Sequence, residues 1–135
     1  DGMDLALCSV DSVSRTLKYA GANRPVWIIR KGGTSVEEIK ATKKAIGGFT
    51  EDTQHFETHE IRLMEGDTVY LSTDGYGDTF GREGKKMMTK RFKDILVSIQ
   101  DKPMKDQEKH LDEFVENWMG GAEQVDDILV IGIRL

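Results

Sequence analysis

The sequence predicts an α+β fold: short paired strands, then two amphipathic helices, then a closing strand. Three observations carry this. Residues from Asp4 to Arg30 contain three strand-like runs separated by turns and a Pro-containing break. Between Met88 and Trp118 the apolar residues recur at helical spacing. Ile128-Leu129-Val130-Ile131-Gly132-Ile133 then returns as one apolar run, long enough for a central strand.

Taken in order, Asp4 to Asp11 is a strand, Asp11-Ser12-Val13-Ser14 a turn, and Thr16 to Ala22 the returning partner. Cys8 shares an alternation with Ala6 and Val10, which makes it a small core residue; no basic partner for a nucleophilic thiolate is identifiable. Asn23-Arg24-Pro25 breaks the pairing, and Val26 to Arg30 forms a third strand ended by Gly32-Gly33. From Thr34 to Asp52 the pattern is weak. Val36 to Ile39 fits a short strand, and Ile46-Gly47-Gly48-Phe49 a loop against the core. His55 and His59 have the spacing of metal ligands on a helix. Phe56, Thr58, Ile61 and Leu63 around them read as a strand instead, so both imidazoles are expected in solvent. Ile61 to Met64, the turn at Gly66-Asp67 and Thr68 to Thr73 are expected to form a hairpin.

Gly81-Arg82-Glu83-Gly84-Lys85-Lys86 is too short between its glycines for a phosphate-binding loop and has no Ser or Thr after the lysine. Met88, Phe92, Ile95, Leu96 and Ile99 mark one helix; Leu111, Phe114, Val115 and Trp118 mark a second, both with stripes that face a sheet. Pro103 suits the first turn of the second helix, and Gly120-Gly121 ends it. Lys85, Lys86, Lys90, Arg91 and Lys93 read as a solvated face, with steering of a phosphorylated partner as the other reading.

The chemistry concentrates at two strand ends. Val69-Tyr70-Leu71 reads as a strand covered on both faces, and Ser72-Thr73-Asp74-Gly75-Tyr76-Gly77-Asp78 as the acidic, flexible tip that leaves it. Val125-Asp126-Asp127 enters the last strand. If these strands are antiparallel neighbours, Asp74 and Asp126 converge. Two carboxylates repel unless one is protonated or a cation lies between them, and a hard divalent ion, Mg²⁺ or Mn²⁺, prefers oxygen ligands. Either tip alone reads as a solvated turn or cap; the pair reads equally as a metal site.

Bulk properties set the frame. The chain has 135 residues, 38% hydrophobic and 32% charged, the balance of a folded globular domain. With 19 basic and 24 acidic residues its net charge is −5, so general nucleic-acid affinity is not expected. No run has membrane-spanning length and no signal-peptide pattern opens the chain. The single cysteine fits a reducing cytoplasm.

The Gly66–Asp78 stretch, the basic segment around Lys90-Arg91-Phe92, and Glu123-Gln124-Val125-Asp126-Asp127 before a terminal strand together resemble the SpoIIE-type branch of the metal-dependent Ser/Thr protein phosphatases. Tyr19-Ala20-Gly21-Ala22-Asn23 and Pro25 extend the likeness over almost the whole chain. The resemblance implies a phosphatase 2C-like sandwich of antiparallel sheets flanked by helices, with a two-metal centre at one edge. It implies a metal-ligand role for Asp74 and Asp126, and places Asp78 near a further, looser ion. Asp127 is the fourth candidate, although alternation turns it away from its neighbour.

In that family another acidic, glycine-containing metal motif and a helical pair come earlier. Asp1-Gly2 is not that motif, because a strand follows at once and the companion pattern is absent. Residues 1–135 are therefore expected to be the C-terminal portion of such a domain, inactive alone and prone to self-associate through uncovered edges. The implied reaction is dephosphorylation of phosphoserine or phosphothreonine by metal-activated water, with Mn²⁺ or Mg²⁺ as cofactor. The implied setting is bacterial signalling, with an upstream sensor domain and a small phosphorylated substrate resembling an anti-sigma-factor antagonist. A non-catalytic interaction module with a degenerate phosphatase fold is the alternative, and a divalent-cation sensor a third. No Gly-x-Ser-x-Gly elbow or catalytic-cysteine pattern competes.

Overall fold

The computed structural model describes residues 2–48 and 54–135; Asp1, Phe49 and the end of the Thr34 to Asp52 segment, which enter the sequence reading, lie outside the described residues. The elements are, in chain order, β1 (Gly2–Met3), β2 (Leu5–Asp11), β3 (Thr16–Ala22), β4 (Val26–Ile29), β5 (Glu37–Ile39), β6 (Ile46–Gly47), β7 (Thr58–Arg62), β8 (Thr68–Ser72), α1 (Thr89–Ser98), α2 (Met104–Met119) and β9 (Val130–Arg134).

Strand alternation builds the first sheet. Along β2, Ala6, Cys8 and Val10 turn inward while Leu5, Leu7 and Ser9 face out. The Cys8 thiol is pushed up to about 11 by burial, as a core residue's should be. The β2–β3 hairpin is as expected, and β7 completes the order β2-β3-β7. Gly21 is required there: a Cβ would meet the Tyr19 hydroxyl oxygen at 2.0 Å, and that hydroxyl donates to the Arg24 carbonyl.

Asn23-Arg24-Pro25 ends the first sheet and β4 enters a second, of order β5-β4-β8-β9, antiparallel throughout. Leu17 and Tyr19 of one sheet pack against Val26, Ile28 and Val69 of the other, with Leu63 between the two strands that link them. The opposite face of the second sheet presents Trp27, Ile29 and Tyr70 to Phe92, Ile95 and Leu96 of α1 and Leu111 and Val115 of α2. The layers therefore run sheet, sheet, helices, the α+β sandwich with helices outside that the sequence resemblance implies.

Several expectations change. β7 and β8 form no hairpin, because they belong to different sheets. The corner between them is made by Asp67, whose carboxylate accepts from the Met64 and Lys31 N–H groups and from Arg30. Gly66 N–H also donates to the Leu135 carbonyl, which carries the chain to the second sheet. Gly47 lies not in a loop but in β6, paired with Gly2–Met3. His55 is exposed, but His59 shares the inward phase of Ile61 and stacks on Tyr19 with ring centroids 5.8 Å apart. Met88 is exposed before α1, and Met87 takes the buried place. Pro103 stands one position before the first helical residue. β9 is an edge strand, with Ile131 and Ile133 exposed. Among the described residues no helix is long and apolar enough to cross a membrane.

Candidate metal centre

The antiparallel register of β8 and β9 pairs Ser72 with Val130, so the tip after β8 lies beside the segment that enters β9. Thr73 fastens the two. Its N–H donates to the Leu129 carbonyl (3.0 Å), and its hydroxyl donates to the Asp127 carbonyl (3.0 Å) and accepts from the Leu129 N–H (3.1 Å). Gly75 permits the approach: a Cβ there would lie 2.1 Å from the Asp127 carbonyl oxygen, closer than any side chain tolerates. Arg24 adds a clamp from the connection between β3 and β4, donating twice to the Ser72 carbonyl.

The tip itself is one tight turn. Asp78 N–H donates to the Asp74 carbonyl (3.0 Å), and the Thr79 hydroxyl donates to the Gly75 carbonyl (2.8 Å). Tyr76 roots it in the core, stacked on Phe92 with centroids 4.4 Å apart and donating to the Leu111 carbonyl. Burial pushes the Tyr76 hydroxyl above the ordinary tyrosine range, which keeps it a donor. Trp118 of α2 donates to the Thr79 carbonyl (3.0 Å). Both helices thus hold the acidic turn from behind.

On this frame, carboxylate oxygens of Asp74, Asp78 and Asp126 lie within 4.8 Å of one another, Asp78 half-buried and the other two exposed. Asp127 is not among them; its backbone carbonyl serves the Thr73 strap, and its N–H donates to Asp126 Oδ1 (2.8 Å). Lys86 Nζ lies 3.4 Å from Asp78 Oδ1.

The comparisons with known proteins agree with this frame. Residues 2–135 match the model of the family described as stage II sporulation protein E (SpoIIE). The chain belongs to the SpoIIE family. No curated protein matches it by sequence at a comparable level. Among solved structures, the SiaA-PP2C domain of Pseudomonas aeruginosa is 31% identical with a TM-score of 0.86, over 98% of this chain and 51% of that one. The PP2C phosphatase domain of Bacillus subtilis SpoIIE, with a fragment of its regulatory domain, is 23% identical with a TM-score of 0.75, over 98% of this chain and 37% of that one. A Mn-presoaked structure of the Bacillus subtilis SpoIIE phosphatase domain is 19% identical with a TM-score of 0.70, over 98% of this chain and 56% of that one. The chain spans about half the length of the first of these structures.

In this SpoIIE-family chain the donor set is all carboxylate oxygen, which suits a hard divalent ion such as Mg²⁺ or Mn²⁺ and not a thiophilic one. Thr73, Arg24 and Lys86 escaped the sequence reading as parts of the centre. Thr73 carried the one available signal, a hydroxyl directly before the first aspartate. Arg24 acts across the fold and Lys86 across a loop, and neither spacing announces it.

Proposed function

We propose that this chain contributes the Asp74, Asp78 and Asp126 carboxylates of a metal-dependent protein phosphatase centre that cleaves phosphoserine and phosphothreonine. The observation that carries the reading is the convergence of those three side chains at one sheet edge in a SpoIIE-family fold. Mn²⁺ or Mg²⁺ at such a site supplies positive charge for phosphoryl oxygens and Lewis acidity toward water. The chain's own part is to hold the oxygens: Thr73 and Gly75 keep the two strand ends together, and Tyr76 and Trp118 stop the turn from moving. Asp127 N–H orients the Asp126 carboxylate. No side-chain nucleophile is required, and Cys8 is sequestered on β2 between the sheets.

The substrate of this reading is a small phosphorylated bacterial regulatory protein of the anti-sigma-factor-antagonist kind, supported by family membership. A sensor domain elsewhere in the same protein fits the reading; one relative above was solved with part of its regulatory domain. The test is dephosphorylation of a phosphoserine or phosphothreonine protein by the full-length protein with Mn²⁺. Turnover is expected there, none from residues 1–135 alone, and none from full-length Asp74→Asn or Asp126→Asn that keep their thermal transitions. Unchanged turnover in both variants would overturn the proposal. A full-length protein that binds Mn²⁺ without turnover would instead favour the non-catalytic module.

A further inference from the structure

Asp78 does not face the other two aspartates alone. Its ion pair with Lys86 is, among the described residues, the one salt bridge made by any of the three carboxylates. The ammonium is positioned by backbone. Residues 79–87 double back on themselves: Met87 N–H donates to the Thr79 carbonyl (2.9 Å), Gly81 N–H to the Lys85 carbonyl (2.8 Å), and Phe80 pairs antiparallel with Lys86. Lys86 Nζ sits 5.6 Å from the centre of the Phe80 ring, a cation–π distance that keeps the side chain over the turn. Met88 N–H, donating to the Gly77 carbonyl at 2.7 Å, closes the loop onto the acidic turn. One loop therefore fixes both Asp78 and its counter-ion.

Three like charges within 4.8 Å raise the free energy of the folded chain, and one fixed cation offsets part of that. We propose that Lys86 is the resident counter-cation of the acidic cluster: it holds Asp78 while no divalent ion is bound, and lowers the affinity for one. The inference rests on the metal-centre reading above. A divalent ion that takes Asp78 must break the ion pair and then share the turn with an ammonium group, two costs of the same sign. Both side chains are partly solvated, 40% and 38% exposed, so water screens the effect. The expected size is about three- to tenfold in affinity.

The experiment is calorimetric Mn²⁺ titration of the full-length protein, wild type against Lys86→Met, Lys86→Arg and Lys85→Met, with thermal melts of each. Lys86→Met should bind Mn²⁺ about three- to tenfold more tightly, the gain shrinking at high salt. Its metal-free melting temperature should fall and its metal-induced rise should grow. Lys86→Arg keeps the charge and should resemble wild type. Lys85→Met removes an exposed neighbouring charge that makes no ion pair with the cluster among the described residues, and should change little. If wild type binds Mn²⁺ and Lys86→Met binds it equally or less tightly, the inference is wrong. Equal tightening by Lys85→Met would reduce it to general surface charge and equally overturn it. No Mn²⁺ binding by wild type or any folded variant would overturn the metal-centre reading itself, and this inference with it.

Discussion

β8 and β9 lie side by side and each carries an acidic end, yet the fold holds them in opposite ways. β8 runs between β4 and β9 with Thr68, Val69 and Tyr70 buried. Its tip is tied to both helices through Tyr76 and Trp118. β9 is the sheet's edge, with Leu129, Ile131 and Ile133 exposed, and the segment before it depends on Thr73 and on a Gln124 side chain that donates to the Asp126 carbonyl. The cluster thus joins a rigid donor pair, Asp74 and Asp78, to a lightly tethered third, Asp126. Stability is concentrated on one strand, while the geometry of the centre depends on both.

The comparison breaks most visibly at the middle of the two strands. Tyr70→Ala on β8 removes a buried ring and a hydroxyl shared with Gln107 and Gln100, and should cost about 3–5 kcal/mol. Ile131→Ala on β9 removes a side chain that is 44% exposed, and should cost under about 1 kcal/mol. Urea denaturation of the two variants checks the contrast.

Where the strands' acidic ends touch, Gly75→Ala places a methyl group against the Asp127 carbonyl and should cost about 1–3 kcal/mol. Because the strain is relieved by parting the ends, Mn²⁺ affinity should fall with stability.

At the opposite end of the pair, the Asp67 carbonyl accepts from Leu135 N–H, and the Asp67 carboxylate holds the sheet-switching corner. Burial pushes that carboxyl up, but hydrogen bonds from Met64 N–H, Lys31 N–H and Arg30 outweigh burial and hold it below the ordinary value. A depressed carboxylate stabilises the fold above its unfolded pKa, and that contribution is lost as pH falls through the folded value. The urea-midpoint gap between wild type and Asp67→Asn should therefore be full near neutral pH and close below about pH 4. A gap independent of pH would count against the charged corner.

The smallest change tests the tether. Thr73→Val keeps the shape of the side chain but removes the strap between Asp127 and Leu129, at a cost of about 1 kcal/mol. Its effect on Mn²⁺ affinity should exceed that of Ile131→Ala, although both touch the same edge.

Much of this was legible in the sequence. The paired alternation of β2 and β3, the break at Pro25, the two helical stripes and the two acidic ends all follow from local periodicity and turn chemistry. Their meeting required one assumption, that β8 and β9 are antiparallel neighbours, which the register bears out. The sheet switch at Gly66-Asp67 was not legible, since a turn between two strands reads as a hairpin. What decides it is the Asp67 carboxylate reaching Lys31 and Arg30, far away in the chain. The β1–β6 pair was hidden because two-residue strands have no period. The alternation around His59 reads as leaving it in solvent, yet its phase, shared with Ile61, points inward. Asp78 entered by resemblance alone, and its approach to Asp126 depends on a turn that no spacing rule describes.

The central claim is that the rigid and the tethered carboxylates act on one ion. Mn²⁺ titration of the full-length protein against Asp74→Asn, Asp126→Asn and Asp127→Asn addresses it directly. Asp74→Asn and Asp126→Asn should each weaken binding strongly and to a similar degree, and their double variant should be little worse than either alone. Asp127→Asn, whose part in the centre is played by its backbone, should bind nearly as wild type does. Unchanged affinity in both the Asp74 and Asp126 variants, with folding intact, would contradict the account.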